Sequence, residues 1–315
     1  MGLPPFSSLL KSRDVEDPVN LWLHRPLAYG LVAAIYRTPI TPNQITLLAM
    51  LCGFTAGALW FVGTPRLMLV GGALLWTSSI LDGADGILAR AKQLHSELGR
   101  ALDGSADMLV AIVTVTAAFY HIWVTHHAVW HLPFMALALL TAVMQIYLYD
   151  FYKECYLDST NPAWDGTTGG IAEVQARLER ARAEGASLVT RFAWSSFVGM
   201  LTGQTALRNL TNPRGGRAGL KFPVSEETIR LHRRHNYWPM QLWTLVSLCP
   251  HTYIMSICGM FDRVDLYLWF RVLPGNAIFL AAIVWQRIAT ARTLRELEAA
   301  GLAPRPVSAD PTKPL

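Results

Sequence analysis

Residues 67–124 read LMLVGGALLWTSSILDGADGILARAKQLHSELGRALDGSADMLVAIVTVTAAFYHIWV, two apolar runs joined by a stretch that holds four aspartates. A bilayer core about 30 Å thick takes roughly 20 residues of helix. The two runs fit spans at 67–91 and about 101–124, joined by a short turn near residues 95–98. Such a turn lets the helices face each other antiparallel. Asp82 and Asp85 are three residues apart and Asp103 and Asp107 four apart, so each pair occupies one helix face. All four carboxylates then converge at one end of two membrane helices.

The rest of the chain extends this pattern. Further apolar runs predict spans at 44–63, about 132–150, 238–258 and 267–286. Residues 21–37, LWLHRPLAYGLVAAIYR, are amphipathic with basic ends and fit a helix lying in the membrane interface. TPITPN at 38–43 breaks that helix, its prolines suiting the approach to a new start. The expected fold is an all-α membrane protein of six transmembrane helices with an N-terminal cytoplasmic juxtamembrane helix. Its parts are residues 1–43, a six-span domain at 44–290 with a polar insert at 151–236, and a flexible tail at 291–315. Residues 1–20 read as polar and mobile, and as no secretory signal, so the first span serves as the insertion signal.

Composition agrees. The chain is 52% apolar and 16% charged, against about 25% charged in soluble domains. Its +5 net charge does not call for nucleic acid, because Lys and Arg sit in the loops. The 151–236 region holds twelve of them, whereas the turns near 64–66, 125–131 and 259–266 hold Arg66 and Arg263. Positive charge marks the cytoplasmic side, so the aspartates and both termini are expected there. The four cysteines, at 52, 155, 249 and 258, show no CxxC spacing and suggest neither zinc nor a disulfide framework.

Acids at membrane depth are functional candidates by default. Oxygen-only ligands suit Mg²⁺ or Mn²⁺ rather than zinc, and a two-metal site on Asp82, Asp85, Asp103 and Asp107 neutralises a diphosphate and its leaving group. Gly83, Gly86 and Gly99 remove side chains where a nucleotide must approach. Arg90 reaches a phosphate oxygen. Either pair alone also fits a structural role, at a helix terminus or in a loop. The full spacing with Ala89 and Arg90 does not.

DGADGILAR-x8-G-x3-D-x3-D resembles the signature of the CDP-alcohol phosphatidyltransferase family, D-x2-D-G-x2-A-R-x8-G-x3-D-x3-D, at every fixed position. The signature covers 26 residues, and the six-span pattern extends the likeness. The resemblance implies metal ligation by Asp82, Asp85 and Asp103, with Asp107 bridging the metals and acting as general base. It implies that Gly86, Ala89, Arg90 and Gly99 line the cytidine diphosphate pocket. TPNQIT resembles the family's entry to the first span, so Asn43 and Thr46 are expected to contact the nucleotide. The implied reaction transfers a phosphate-linked group from CDP-diacylglycerol or a CDP-alcohol to an alcohol and releases CMP, in phospholipid synthesis. At least one substrate is then a lipid, and the working unit a homodimer. Nothing in the sequence names the acceptor-binding residues, although Met108, Leu109 and Val110 differ from the Lys-containing continuation of glycerophosphate enzymes.

A cation transporter using the intramembrane aspartates is the alternative class. It has no use for Ala89, Arg90 and the glycines at these spacings. Three further features stand apart. His126, His127 and His131 fit an interfacial cluster better than a metal site. Arg214, Arg217 and Lys221 lie in a Gly-rich loop suited to an acidic acceptor or to anionic lipid. Arg271, Pro274, Gly275 and Asn276 interrupt the sixth span and predict a kink.

Overall fold

The structure, a computed structural model, describes residues 3–10, 12–94, 97–162, 170–214 and 225–302. Regular structure among them is helical throughout. Two 3₁₀ turns, Phe6–Leu9 and Arg13–Val15, lead to a π-helical turn, Asn20–His24, that runs into α1, Arg25–Ile35. Then come α2 (Pro42–Val62), α3 (Pro65–Ala91), α4 (Glu97–His126), α5 (His131–Thr160), α6 (Ile171–Ala183) and α7 (Leu188–Thr211). After residue 224 follow α8 (Glu226–Thr244), α9 (Leu248–Met260), α10 (Val264–Phe270), a π turn (Arg271–Gly275) and α11 (Asn276–Ala299).

Among the described residues five helical stretches are long and apolar enough to cross a membrane: Pro42–Val62, Pro65–Ala91, Ala101–His126, His131–Thr160 and Val264–Ala299. Leucines and other large apolar side chains stand exposed along them, Leu47, Leu48, Leu51, Leu69 and Ile112 among them, as lipid-facing residues do. The stretch 238–258, read from sequence as a span, is not one helix. It divides between α8 and α9, with residues 245–247 outside both. Pro250 explains the break: it has no N–H to donate and its ring excludes a preceding helical turn, so it sits in the first turn of a new helix. At Arg271, Pro274, Gly275 and Asn276 the reverse holds. The backbone loosens into a π turn and the helix carries on. Residues 291–299, read as tail, extend α11, with Thr293, Leu294 and Leu297 buried; α11 packs on α8.

The centre is α3, which packs on α2, α1 and α9, while α2 also packs on α4. Small residues set the close approach. A Cβ on Gly53 would lie 2.5 Å from Val110 Cγ1, and one on Gly57 2.5 Å from Val113 Cγ1. A Cβ on Gly72 would lie 2.6 Å from the Ser256 carbonyl oxygen. The start of α2 is fixed locally. Pro42 occupies its first turn, and Thr41 and Gln44 form a capping box in which Thr41 N–H donates to Gln44 Oε1 at 2.9 Å. Lys92, just past α3, donates to the Thr38 and Ile40 carbonyls at 2.8 Å each, tying that start to the end of α3.

Candidate active site

The α2–α3–α4 packing brings the aspartates together. One carboxylate oxygen from each of Asp82 and Asp85, on α3, and Asp103, on α4, lie within 4.8 Å of one another. Asp107, one turn along α4 from Asp103, stands outside that trio, its carboxyl facing Asp82. Asp85 is buried; Asp82, Asp103 and Asp107 are half-buried. The spacing suits a divalent cation. Two oxygens on opposite sides of an ion at 2.0–2.6 Å stand roughly 4–5 Å apart, so the trio reaches one ion with little adjustment. The donor set points the same way. Clustered carboxylates in an apolar bundle repel one another and need a proton or a cation between them.

The remaining predicted residues divide. Thr46, on α2, does not wait for a ligand. Its hydroxyl donates to Asp85 Oδ2, with the Pro42 carbonyl 3.2 Å away as a second acceptor. Asn43 is one turn earlier and exposed. The Arg90 guanidinium lies beside Gly86, whose Cβ position is 3.6 Å from Nη1 and 3.8 Å from Nη2. Arg90 Nε donates to the Leu9 carbonyl at 2.6 Å. The arginine is thus held from the N-terminal side with its two terminal nitrogens over the glycine. Ala89 and Gly99 are half-buried. Residues 95 and 96 of the connecting turn lie outside the described residues, as do Arg217 and Lys221; Arg214 is exposed.

Several neighbours of the aspartates carried no sequence signal. Arg25, at the start of α1, pairs with Glu16 at 2.9 Å and donates to the Gly83 carbonyl at 3.4 Å, inside the acidic motif. Glu16 and burial act on it in opposite senses, and the pairing wins, holding the guanidinium's pKa above its usual value. Asp17 is buried and accepts from the Asn20 backbone N–H at 2.9 Å. Burial, with Glu16 adjacent, raises its pKa. Cys249, at the start of α9, lies near Asp82 and Asp107. Residues 13–17, expected to be mobile, are instead threaded into the bundle. Asp14 Oδ2 accepts from Arg233 at 2.7 Å and from the Tyr156 hydroxyl at 2.9 Å, and the Val15 carbonyl accepts from Tyr149 at 2.8 Å. Arg233 therefore pairs with the N-terminal segment. The only available cue was the alternation of acids in RDVED, too short to assign partners.

The histidines at the far end of the bundle form an aromatic cluster. His131 is buried, with its ring 3.8 Å from Trp130 and 5.3 Å from His126, and His127 is exposed. Among the described residues the aspartate trio is the group able to gather three metal ligands.

Comparison with known proteins agrees with the motif. Residues 39–163 match the family model described as CDP-alcohol phosphatidyltransferase. They include α2, α3, α4 and α5 and all four aspartates. Over 120 residues, 38% of this chain, it is 36% identical to a protein of Aquifex aeolicus named "Bifunctional IPC transferase and DIPP synthase". A protein of the same name from Thermococcus kodakarensis is 37% identical over 90 residues, 26% of this chain. The matches span 26% and 20% of those two proteins, so the chain covers about a quarter of the relatives' length or less.

Proposed function

We propose that the segment carrying the CDP-alcohol phosphatidyltransferase domain of residues 39–163 makes this protein a membrane enzyme that transfers a phosphate-linked group from a CDP-activated donor to an alcohol, with release of CMP. The observation that carries this reading is the trio of carboxylates, Asp82, Asp85 and Asp103, contributed by two helices at the spacing of the family signature.

These three, with Asp107, are the residues that would hold Mg²⁺ or Mn²⁺. When bound, such ions supply positive charge that polarises the phosphoryl group and offsets the charge left on CMP. The protein's own residues do the rest. Arg90, fixed by Leu9, presents two N–H-bearing nitrogens over Gly86, where a phosphate oxygen accepts in a charge-assisted pair. Gly86, Ala89 and Gly99 leave room for the cytidine diphosphate. Asn43, exposed and three residues before Thr46, would meet the base or ribose. Thr46 orients Asp85. Asp107 stands outside the trio with its carboxyl turned to Asp82. It takes the proton from the attacking hydroxyl as the new O–P bond forms and the bond to CMP breaks.

The basic insert and the sparse charge at the other face support a cytoplasmic aspartate end. The donor or the acceptor is a membrane lipid, and phospholipid synthesis is the setting. The test is metal-dependent release of CMP from the purified protein given CDP-diacylglycerol or CDP-alcohols with a panel of acceptors. No CMP under any pairing overturns the reading. Asp107→Asn is expected to abolish turnover while donor binding and Mn²⁺ binding at the Asp82–Asp85–Asp103 trio persist; near-normal turnover removes Asp107 from the role of base.

A further inference from the structure

His24 is 2% exposed, and neither ring nitrogen has a hydrogen-bond partner among the described residues. A buried imidazole left this way is costly, because both nitrogens give up water for nothing. Its setting is specific. His24 closes the π turn Asn20–His24, a rare geometry that recurs at functional sites. Its ring meets Trp76 of α3 at 5.1 Å and Tyr253 of α9 at 5.8 Å, both edge-on. Trp76 and Tyr253 are themselves half-buried, so both rings keep part of their surface exposed beside the buried imidazole. On the outer face of the same turn Trp22 is 80% exposed, with Leu23 and Leu27 also exposed. The turn is thus apolar toward lipid and polar toward the seam.

The depth of the seam follows from helix geometry. Trp76 precedes Asp82 by six residues of α3, roughly 9 Å along the axis at 1.5 Å per residue. Tyr253 follows Cys249, the neighbour of Asp82 and Asp107, by four residues of α9, roughly 6 Å. His24 therefore lies one to two turns deeper in the bundle than the carboxylates. Its neighbour Arg25 reaches back to the Gly83 carbonyl at 3.4 Å, so seam and acidic motif are continuous.

We propose that the His24–Trp76–Tyr253 seam is a subsite for the acylglycerol backbone of a lipid substrate, with His24 donating a hydrogen bond to an ester carbonyl. Several bonds separate that carbonyl from the reacting phosphate or hydroxyl in a diacyl lipid, which suits the offset between His24 and the aspartates. Burial beside the Arg25 charge keeps the imidazole neutral, so it retains one N–H to give. The acyl chains then leave along the exposed apolar face of Trp22, Leu23 and Leu27. The subsite rests on the proposed function for the site it serves, and it names the acylglycerol chemistry shared by CDP-diacylglycerol and diacylglycerol.

The test is equilibrium binding of labelled dioleoyl CDP-diacylglycerol, dioleoylglycerol and CDP to the purified full-length protein in detergent with Mn²⁺. His24→Phe keeps an aromatic ring in the seam and removes both nitrogens; His24→Gln restores a donor. His24→Phe is expected to weaken one of the two lipids by about fivefold to tenfold, the loss of one hydrogen bond. CDP should bind unchanged, and His24→Gln should recover most of the loss. The lipid that weakens identifies which substrate occupies the seam. Wild-type affinity of His24→Phe for both lipids, or equal weakening of CDP, overturns the proposal. If the wild-type protein releases no CMP but the lipid effect is present, the subsite stands and the transferase reading falls.

Discussion

Thr46→Val separates two roles for one hydroxyl. The motif resemblance places Thr46 on the nucleotide; the fold places it on Asp85. A hydroxyl has one proton to donate, and an Asp85 carboxylate held ionised by a bound cation would outcompete the Pro42 carbonyl at 3.2 Å. A hydrogen bond to a charged group contributes about 1.5–3 kcal/mol net. Thr46 is half-buried, which favours the lower end. At 1.4 kcal/mol per decade, losing it should raise the Mn²⁺ midpoint about tenfold, within the 10–100-fold range seen when supporting partners of metal ligands are removed. Valine keeps the shape and loses the donor, while Thr46→Ser keeps the donor and should remain near wild type. The assay is CMP release titrated with Mn²⁺ at saturating donor, paired with the Mn²⁺-dependent shift in thermal unfolding. A nucleotide role gives the opposite pattern, a raised donor KM at saturating Mn²⁺ with the metal midpoint unmoved. That pattern, or a Thr46→Ser variant as impaired as Thr46→Val, refutes the argument from Asp85.

Gly72→Ala should destabilise the protein by about 1–3 kcal/mol, since the new methyl meets backbone atoms of Ser256 and Met260 that cannot step aside; Gly30→Ala, with nothing within 4 Å, should be neutral or stabilising by up to about 1 kcal/mol. Thermal unfolding in detergent checks both. Arg271 is 1% exposed and donates to Gln145 Oε1 at 2.6 Å and the Ala138 carbonyl at 3.1 Å. Arg271→Ala removes both bonds, leaves a cavity inside the bundle and should cost about 3 kcal/mol or more, read as loss of the monodisperse peak on heating. His232, 7% exposed, is held down to about 4 by burial against about 6.5 unfolded. Above pH 6.5 it is neutral in both states. As pH falls from 6.5 toward 4 only the unfolded chain takes up the proton, so about 3 kcal/mol of stability drains away in that window. His232→Phe should flatten the acid limb of a stability–pH curve between those values, and an unchanged limb counts against the assignment.

The aspartates were legible because their signal is local. Spacings of three and four put Asp82 with Asp85 and Asp103 with Asp107 whatever else the chain does, and the short turn between the two spans leaves the pairs little choice but to meet. The spans of α2 to α5 were legible for the same reason, each being a long apolar run. The fifth expected span failed because a hydropathy window averages over Pro250, whereas a backbone cannot. Pro274 and Gly275 do interrupt the regular α-helix, as a π turn after which helical structure resumes at Asn276. Glu16, Arg25 and His24 were illegible because what gives them meaning is distant: Gly83, 58 residues on, for Arg25, and Tyr253, in another helix, for His24. Thr46 was found but its bond to Asp85 was not, because a motif records which residues recur and not whom they face.

The N-terminal segment shows what this means for the chemistry. The signature supplies negative charge in a place where four carboxylates cannot all stay ionised unaided. Two arginines stand beside them, and neither is left to swing. Arg25 is tied to Glu16 at 2.9 Å and Arg90 to the Leu9 carbonyl at 2.6 Å. Both ties come from the N-terminal segment, at Leu9 and Glu16, and Asp14 and Val15 beside Glu16 are themselves pinned to α5 and α8. A guanidinium free to move would fold onto the nearest aspartate and compete with a cation for it. Held from behind, Arg90 keeps two nitrogens facing the space over Gly86. The segment read as mobile in the sequence therefore fixes where both guanidiniums stand beside the acidic motif.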